Sequence, residues 1–258
     1  MLQSHFFLDF GLECRLYKWT GKQHESSEDR LLVAGASRTL MISVLDGMGG
    51  LPLAAEAAAT AASSILQGWS AGIREPSALL AAGNDALIKA YGAGTVGAAA
   101  AVAIVSAGGN LCGAWLGDAR IAVVETFAPS LRELTVDHTR LAEHVGRRNP
   151  TRRDLARFRK LGSSLTRSLG ERPLDVQSVP VVSANAVQSV VLYTDGFWGD
   201  SHGSDLLRRG FTSSAHRRLS RLTTWTPDDD SSLVILDRGE RKFPEHSTIS
   251  SNDFVINV

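Results

Sequence analysis

The chain has 258 residues, 43% of them hydrophobic, and its formal net charge at pH 7 is zero. The length allows one large domain or two smaller ones, and the hydrophobic content is enough for a sizeable core. Zero net charge argues against binding to nucleic acid through overall electrostatic attraction. The two cysteines, Cys14 and Cys112, lie far apart and form no CxxC pair, which argues against a disulfide framework or a structural zinc site.

Neither secretion nor membrane insertion is indicated by the sequence. Its first residues lack the basic region and the long apolar run of a signal peptide. The longest apolar run, residues 97–105, is too short to span a bilayer. Together with the cysteine content, these features lead us to expect a cytoplasmic protein without a membrane partner.

Short apolar runs near the start of the chain predict strands. Residues 6–19 combine apolar and aromatic residues with polar ones, and a polar loop follows. Residues 31–34 and 40–45 are typical of buried strands. The last of these runs ends in the sequence DGMGG, starting at Asp46, where the glycines allow the backbone to turn sharply.

Two alanine-rich segments follow, each with a proline near its start, where a helix tolerates proline. They predict helices over about 52–66 and 76–91. Three strand candidates come next, separated by glycine-containing turns, over residues 98–105, 111–116 and 121–127. Turns of this kind predict an antiparallel meander.

The second half of the chain combines basic, apolar and polar segments. A basic helical segment comes first, then two strands, a helix and a last strand, over residues 140–160, 176–182, 189–193, 206–222 and 232–236. The order of strands and helices predicts an α+β fold rather than a strict alternation of the two. No change of composition marks a boundary before the polar C-terminal residues, so we predict one domain over 1–238 and a tail over 239–258.

Acidic residues stand at turns or at the ends of apolar runs in several places. They are Glu28-Asp29, Asp46, Asp118, Asp195 and Asp228-Asp229-Asp230. Carboxylates at strand ends can converge when the strands share a sheet, and they then repel one another unless a cation holds them. Oxygen ligands suit Mg²⁺ or Mn²⁺, and no cluster of histidine and cysteine indicates zinc. Two such ions can hold a phosphate group and lower the pKa of a bridging water.

Each acidic residue alone has an ordinary structural interpretation. An Asp-Gly pair such as Asp46-Gly47 is usually a turn, and the acidic run 228–230 is also typical of a solvated loop. The hypothesis of a metal centre therefore depends on the whole set and on its order along the chain.

The ordered set resembles the metal-dependent type 2C protein phosphatases, the PPM family. The matching segments are SSEDR, VLDGMGG, LCGAWLGDARIAVV with LTVDHT, SLTRSLG, YTDGFWGD and DDSSLVIL, and the resemblance covers nearly all of residues 10–237. Each motif alone is weak, and their common order makes the set specific. The resemblance implies a four-layer sandwich of two antiparallel β-sheets flanked by helix pairs, with metal ions at one end of the sandwich.

The resemblance also implies the ligands of two Mg²⁺ or Mn²⁺ ions. Asp46 would bridge the two ions, and Asp195 and Asp229 would complete one site. Glu28 and the carbonyl oxygen of Gly47 would contribute to the other site, largely through waters. Asp46 and Asp195 are therefore the residues on which we expect catalysis to depend most.

Two further aspartates match supporting positions of the family. Asp29 would support the metal ligands from behind. Asp118 matches the aspartate that binds a third, weaker ion in many members.

The sequence departs from the family pattern at several positions. His24 stands where the family usually has an arginine that grips the substrate phosphate, and a histidine is shorter and only partly charged at neutral pH. A phosphate contact and an ordinary loop residue are equal alternatives for His24. Met48 stands where some members have a histidine proposed as a general acid, and Asp230 replaces an asparagine. Two alanines, Ala98 and Ala99, replace a small polar pair, which indicates packing.

The basic segment 147–160 lies where the family has a variable flap beside the active site. A solvated helix face is the favoured interpretation, and a surface that steers an acidic phosphoprotein is the alternative. The segment has no interleaved aromatic residues that would indicate nucleic-acid binding.

The resemblance implies a phosphoserine and phosphothreonine protein phosphatase, in which metal-activated water attacks phosphorus. Its partners would be a phosphorylated protein and the serine/threonine kinase that it opposes, with no nucleic acid and no membrane. One alternative is a catalytically impaired phosphatase-like regulatory or binding module, which the change to His24 favours. Another is a two-metal nuclease, against which the zero net charge counts.

Overall fold

The computed structural model describes residues 1–8, 12–22, 24–36, 38–48, 53–126, 130–183, 187–209, 225–238 and 254–257. In chain order the described elements are β1 (Leu2–Leu8), β2 (Leu12–Trp19), β3 (Arg30–Ala36), β4 (Thr39–Gly47), α1 (Ala54–Ser70), α2 (Pro76–Tyr91), β5 (Ala98–Ser106), β6 (Leu111–Leu116), β7 (Arg120–Glu125), β8 (Leu131–Glu133), α3 (Arg140–His144), α4 (Arg152–Arg157), α5 (Arg159–Gly162), β9 (Gln177–Val182), β10 (Val187–Tyr193), α6 (Asp195–Gly199), α7 (Ser201–Arg209), β11 (Ser231–Arg238) and β12 (Phe254–Asn257).

The strands form two six-stranded sheets that pack against each other. The first has the order β1-β2-β11-β10-β7-β8, and the second has the order β12-β3-β4-β5-β6-β9. Neighbouring described strands are antiparallel, except that β12 pairs with β3 in parallel. The predicted α+β sandwich of two sheets with helices is confirmed.

Alternation along each strand divides the apolar residues between two faces. In β4, Leu40, Ile42 and Val44 belong to the core between the two sheets. Met41 and Leu45 point the other way and pack beneath α1 and α2. Because successive side chains of a strand point to opposite faces, one apolar run serves two layers.

The two alanine-rich helices cover the outer face of the second sheet, as the sequence predicts. Ala57, Ala58 and Ala61 of α1 are fully buried there, and their small side chains allow the helix to approach the strands closely. At the start of α2, the Glu75 side chain accepts a hydrogen bond from the Ala78 backbone N–H, and Pro76 occupies the first turn. Pro52 lies outside the described residues.

Helices α6 and α7 cover the outer face of the first sheet. Their apolar side chains pack on an aromatic cluster in which Trp19 stacks on Tyr17 and on Phe197. The helix predicted over 206–222 therefore begins earlier, at Ser201, and residues 210–224 lie outside the described part of the chain. Within the described residues, no helix has the length and the apolar character needed to cross a bilayer.

The predicted meander is wrong at its second turn. Strands β5 and β6 form the expected hairpin, but β7 pairs with β10 in the other sheet. The turn at Gly117-Asp118 is therefore a crossover between the sheets rather than a hairpin. A glycine-containing turn permits both paths, and the burial of β7 between β10 and β8 selects the crossover.

The basic segment 140–160 is three short helices rather than one continuous helix. Helix α3 ends before Gly146 and Arg147, which both have positive φ. Pro150 then prevents the chain from returning to a helix before Thr151, which caps α4.

Strand β12 lies within the segment that the sequence predicts as a polar tail. Its backbone pairs with Leu31 to Ala34 of β3. Most of residues 239–258 lie outside the described part of the chain, and the domain boundary at residue 238 stays a prediction.

Candidate active site

Four of the predicted aspartates meet at one end of the sandwich. Asp46 lies near the end of β4, Asp118 in the crossover between β6 and β7, Asp195 at the start of α6, and Asp229 shortly before β11. All four line one cavity of about 360 Å³. Ala99, which faces Asp46 across the β4–β5 pairing, lines the same cavity. The predicted convergence of carboxylates at strand ends is thus present in the structure.

The glycines that follow Asp46 and Asp195 permit a close approach of two backbones. A Cβ atom on Gly47 would collide with the backbone carbonyl group of Ala54. A Cβ atom on Gly196 would collide with the carbonyl group of Asp230. Both Asp-Gly pairs are therefore packed into the protein, and they are not ordinary solvated turns. The glycines at positions 49 and 50 lie outside the described residues.

Burial and mutual repulsion shift the pKa values of the clustered carboxyls upward. Burial raises the pKa of Asp46 well above its ordinary value, and the charges of Asp29 and Asp195 raise it further. Burial and the neighbouring Asp229 raise the pKa of Asp195 to about 7. Burial and Asp195 likewise raise the pKa of Asp118. Such a cluster binds protons at neutral pH unless a cation compensates its charge.

Asp29 supports the cluster from behind and does not line the cavity. It is fully buried, and its Oδ2 accepts a hydrogen bond from the Thr194 hydroxyl at 3.0 Å. Its Oδ1 has no hydrogen-bond partner among the described residues, although the Ser232 hydroxyl is near enough to favour the charged form. Burial raises the pKa of Asp29 to about 7. Since Thr194 directly precedes Asp195, Asp29 helps to position that residue.

Glu28 lies beside the cavity and not among the residues that line it. Its backbone N–H donates to Oδ2 of Asp230 at 2.7 Å. Ligand atoms of Glu28, His24 and Asp230 all lie within 4.8 Å of one another. Burial raises the pKa of the Glu28 carboxyl.

Two of the residues that depart from the PPM pattern, His24 and Asp230, contact each other. Nδ1 of His24 lies 2.7 Å from Oδ2 of Asp230, and this hydrogen bond raises the pKa of the imidazole. The other oxygen of Asp230 accepts a hydrogen bond from the Gly21 backbone N–H at 2.7 Å. Buried Asp230 therefore holds the loop that leads to Glu28, and His24 lines the cavity as part of that arrangement.

The chemistry of these donors fits a hard divalent cation. The cavity offers carboxylate oxygens, and no cysteine lines it. The buried Asp29 oxygen without a partner and the raised pKa values both indicate negative charge that the surrounding residues leave uncompensated. Mg²⁺ and Mn²⁺ prefer such oxygen ligands.

Comparison with solved structures identifies the fold. Stp1 from Staphylococcus aureus, a serine/threonine phosphatase, superposes with a TM-score of 0.70 at 15% identity, over 92% of this chain and 97% of that one. The PPM Ser-Thr phosphatase MsPP from Mycobacterium smegmatis, in complex with cacodylate, gives 0.63 at 21% identity, over 88% and 98%. RsbX in complex with magnesium gives 0.64 at 13% identity, over 92% and 99%.

The chain has the PPM phosphatase fold. This confirms, for the architecture, the resemblance that the motifs indicate. No protein-family profile and no curated protein sequence matches the chain. The order of the motifs and the three-dimensional arrangement therefore carry the assignment of the PPM fold.

Sequence reasoning missed a buried ion pair behind the cavity of this PPM fold. Arg120 donates two hydrogen bonds to Asp137, each 2.7 Å long, and its guanidinium lies 3.8 Å from the centre of the Trp198 ring. Glu133 accepts a further hydrogen bond from Arg120 and one from Tyr193. Except for Glu133, these residues stand in the matched motifs, but no spacing in the sequence indicates that they pair.

Two other residues near the site were also missed. Thr194 lies in the YTDG motif, where its hydroxyl links Asp29 to the backbone of Ser232. Arg159 comes from the basic segment and lines the cavity together with Ser163. Its position in the sequence gave no such signal, because the path of the three short helices decides which arginine faces the cavity.

Proposed function

We propose that the chain is a metal-dependent protein phosphatase that hydrolyses phosphoserine and phosphothreonine. One observation carries the proposal: Asp46, Asp118, Asp195 and Asp229 line a single cavity in a PPM fold. Their raised pKa values support a site that is built for positive charge.

The oxygen donors suit two ions of Mg²⁺ or Mn²⁺, both of which Asp46 would help to hold. Asp195 and Asp229 would serve one ion, and Glu28 and the Gly47 carbonyl oxygen would serve the other. Bound ions would attract the phosphate oxygens and lower the pKa of water, so that hydroxide is available as the nucleophile at neutral pH. The solved complex of RsbX with magnesium supports the choice of a divalent cation.

Residues around the proposed ligands position Asp195 and limit which group can protonate the leaving oxygen. Asp29 holds Thr194 and thereby the start of α6, from which Asp195 projects. Asp118 would hold a third, weaker ion. Met48 lines the cavity and has no proton to donate, so the leaving oxygen takes its proton from water or from another group.

The substrate in this proposal is a phosphorylated protein, and the natural counterpart is a serine/threonine kinase in the cytoplasm. The catalytically impaired binding module stays as the second candidate. One observation favours it: the imidazole of His24 is bonded to Asp230, and a histidine in that position offers no permanent charge to a phosphate.

A direct assay tests the proposal. The full chain would be incubated with Mn²⁺ or Mg²⁺ and a phosphopeptide, an aryl phosphate or a nucleic acid. We expect metal-dependent release of phosphate from the first two substrates and none from nucleic acid. A chain that binds the metal and the phosphopeptide without turnover would support the binding module, and cleavage of nucleic acid would support a nuclease.

Substitution of the core ligands tests the assigned residues. Asp46→Ala and Asp195→Ala should each abolish phosphatase activity and leave the protein folded, because each removes a carboxylate that holds the ions. Asp85→Ala is the matched control, since Asp85 is an exposed carboxylate on α2. Near-normal turnover by either site variant at saturating Mn²⁺ would show that the site is assigned wrongly.

A further inference from the structure

Residues 140–162, which contain the three short helices, are called the flap segment below. Arg159 of α5 reaches the cavity from this segment. It is exposed, and it lines the same cavity as Asp46, Asp118 and Asp195. Within the part of the chain that the structure describes, its guanidinium makes no ion pair and no hydrogen bond. A free guanidinium beside a cluster of carboxylates has five donors available for a ligand.

The charges that line the cavity make Arg159 distinct. The described residues that line it carry five carboxylates and two basic side chains, those of His24 and Arg159. The charge of His24 is offset by Asp230, which is buried and bonded to it. Arg159 is therefore the one permanent cation among these lining residues that no bonded carboxylate offsets.

Arg159 shares the cavity with the acidic loop before β11. Asp228 of that loop lines the cavity and is exposed, as Arg159 is, and its Oδ1 accepts a hydrogen bond from Nζ of Lys22 at 2.8 Å. The guanidinium therefore lies at the solvent-facing rim of the cavity, whereas Asp118 is buried inside it.

The flap segment holds Arg159 in place through its own contacts. The backbone N–H of Arg140 donates to the Ser164 carbonyl at 3.0 Å, which ties the end of α5 to α3. The Phe158 ring packs edge-on against His144, with 4.8 Å between the ring centres. These contacts limit the conformations of the segment before any ligand arrives, which reduces the entropy lost on binding.

We propose that Arg159 binds the phosphate group of the substrate and so supplies the positive charge that His24 does not provide. The inference rests on the proposed phosphatase function. A planar guanidinium can donate two parallel hydrogen bonds to phosphate oxygens, which fixes the orientation of the phosphorus as well as attracting the charge. The flap segment thereby becomes part of the substrate site.

The test compares Arg159→Ala and Arg159→Lys with Arg157→Ala in the full chain. Arg157 is a matched control because it is exposed on the same segment, with its guanidinium 5.1 Å from the centre of the Phe158 ring and away from the cavity. The measurements are KM and kcat for a phosphopeptide with Mn²⁺, and calorimetric binding of inorganic phosphate and of Mn²⁺.

We expect Arg159→Ala to raise KM and the phosphate dissociation constant about 10- to 100-fold, the range expected for a hydrogen bond to a charged group. The kcat and the affinity for Mn²⁺ should change little. Arg159→Lys should recover part of the affinity, because it keeps the charge and loses the fork. Arg157→Ala should behave as the wild type.

Different outcomes separate the two proposals. If the wild type hydrolyses the phosphopeptide and Arg159→Ala keeps the KM of Arg157→Ala, the role of Arg159 is overturned and the function stands. If the wild type hydrolyses nothing, the function fails, and calorimetry with inorganic phosphate still decides on Arg159. Loss of Mn²⁺ binding in Arg159→Ala would also overturn the inference, because the residue would then act on the metal site.

Discussion

At the scale of single residues, the contact between His24 and Asp230 joins two positions at which the sequence departs from the PPM pattern. A protonated imidazole and the Asp230 carboxylate are together neutral, whereas the neutral imidazole leaves one negative charge beside the cavity. The hydrogen bond raises the pKa of His24, so the neutral pair persists to higher pH than for an ordinary histidine. The charge beside the proposed phosphate site therefore changes at a higher pH than an isolated histidine would change it.

We expect the KM of the wild type to rise with pH as His24 loses its proton. The variant His24→Arg should have a lower KM and a flatter pH profile, because arginine remains charged throughout. The measurement is KM for one phosphopeptide against pH, for the wild type, His24→Arg and His24→Ala. Three identical profiles would mean that His24 is only a loop residue.

Asp118 offers a second test at this scale. Its carboxyl lines the cavity from the crossover, apart from the strand ends that carry Asp46 and Asp195. We expect Asp118→Ala to weaken catalysis more than it weakens binding of the two core ions, as for a ligand of a third ion. Calorimetry of Mn²⁺ binding, set beside kcat, checks this. Loss of the tightly bound ions would reject the role, and no effect on either quantity would make Asp118 an ordinary turn residue.

At the scale of elements, the Arg120–Asp137 pair joins the start of β7 to the segment that leads into α3. Both side chains are almost inaccessible to solvent, at 4% and 0%. Removal of one partner leaves a buried charge uncompensated, which typically costs about 3–5 kcal/mol. We therefore expect Asp137→Ala to lower the free energy of unfolding by about that amount in urea denaturation.

The exposed pair of Arg132 and Glu125 provides the control for this prediction. Its side chains are 49% and 36% exposed. Arg132→Ala should change the free energy of unfolding little, because solvent screens an exposed ion pair. If Asp137→Ala is as mild as Arg132→Ala, the buried pair does not stabilise this end of the sandwich.

Some of the strands and helices could be predicted from the sequence, and some of their connections could not. Strands appear where short continuous apolar runs occur, as in β4, because burial on both faces of a strand leaves that pattern in the sequence. The pattern does not record which strand becomes the neighbour, so the crossover at Gly117-Asp118 was predicted as a hairpin. The continuous helix predicted over 140–160 failed for a local reason, since positive φ at Gly146 and Arg147 interrupts it.

The residues of the candidate site also include some that the sequence predicts and one that it does not. Asp46, Asp118, Asp195 and Asp229 could be predicted, because each stands in a short motif at the end of an element, and the structure brings them into one cavity. Arg159 could not, since its place depends on how three short helices fold back over the sheet. Whether the four aspartates hold metal stays a prediction.

At the scale of the whole molecule, the clustered carboxyls link stability to pH. In the folded protein the pKa values of Asp29 and Asp195 are about 7, and that of Asp46 is raised as well. In the unfolded chain an aspartate has a pKa of about 3.9. The folded state thus binds more protons than the unfolded state between about pH 4 and 7, and stability falls as pH rises through that window.

We expect the metal-free protein to unfold at a lower temperature at pH 8 than at pH 5. The variant Asp46→Asn should show a smaller difference, because it removes one of the repelling charges. Addition of Mn²⁺ should restore stability at pH 8, since the ion binds the deprotonated carboxylates of the folded state. Thermal denaturation at pH 5 and pH 8 measures the metal-free wild type, the metal-free Asp46→Asn variant and the wild type with Mn²⁺. A metal-free wild type that is more stable at pH 8 than at pH 5 would contradict the proposed dependence of stability on these carboxyls.

The parallel pairing of β12 with β3 bears on how copies of the molecule behave toward one another. Strand β3 carries Leu31, Leu32 and Val33, and without β12 it would be the border of its sheet. A border strand of this kind presents unpaired N–H and C=O groups that can recruit a strand from another copy. The backbone of Phe254–Asn257 occupies those groups. The sheet therefore ends in a strand of four residues in place of the seven-residue β3, and a shorter border offers fewer unpaired groups to another copy. We expect a chain shortened after Arg238 to aggregate more readily through the exposed edge of β3.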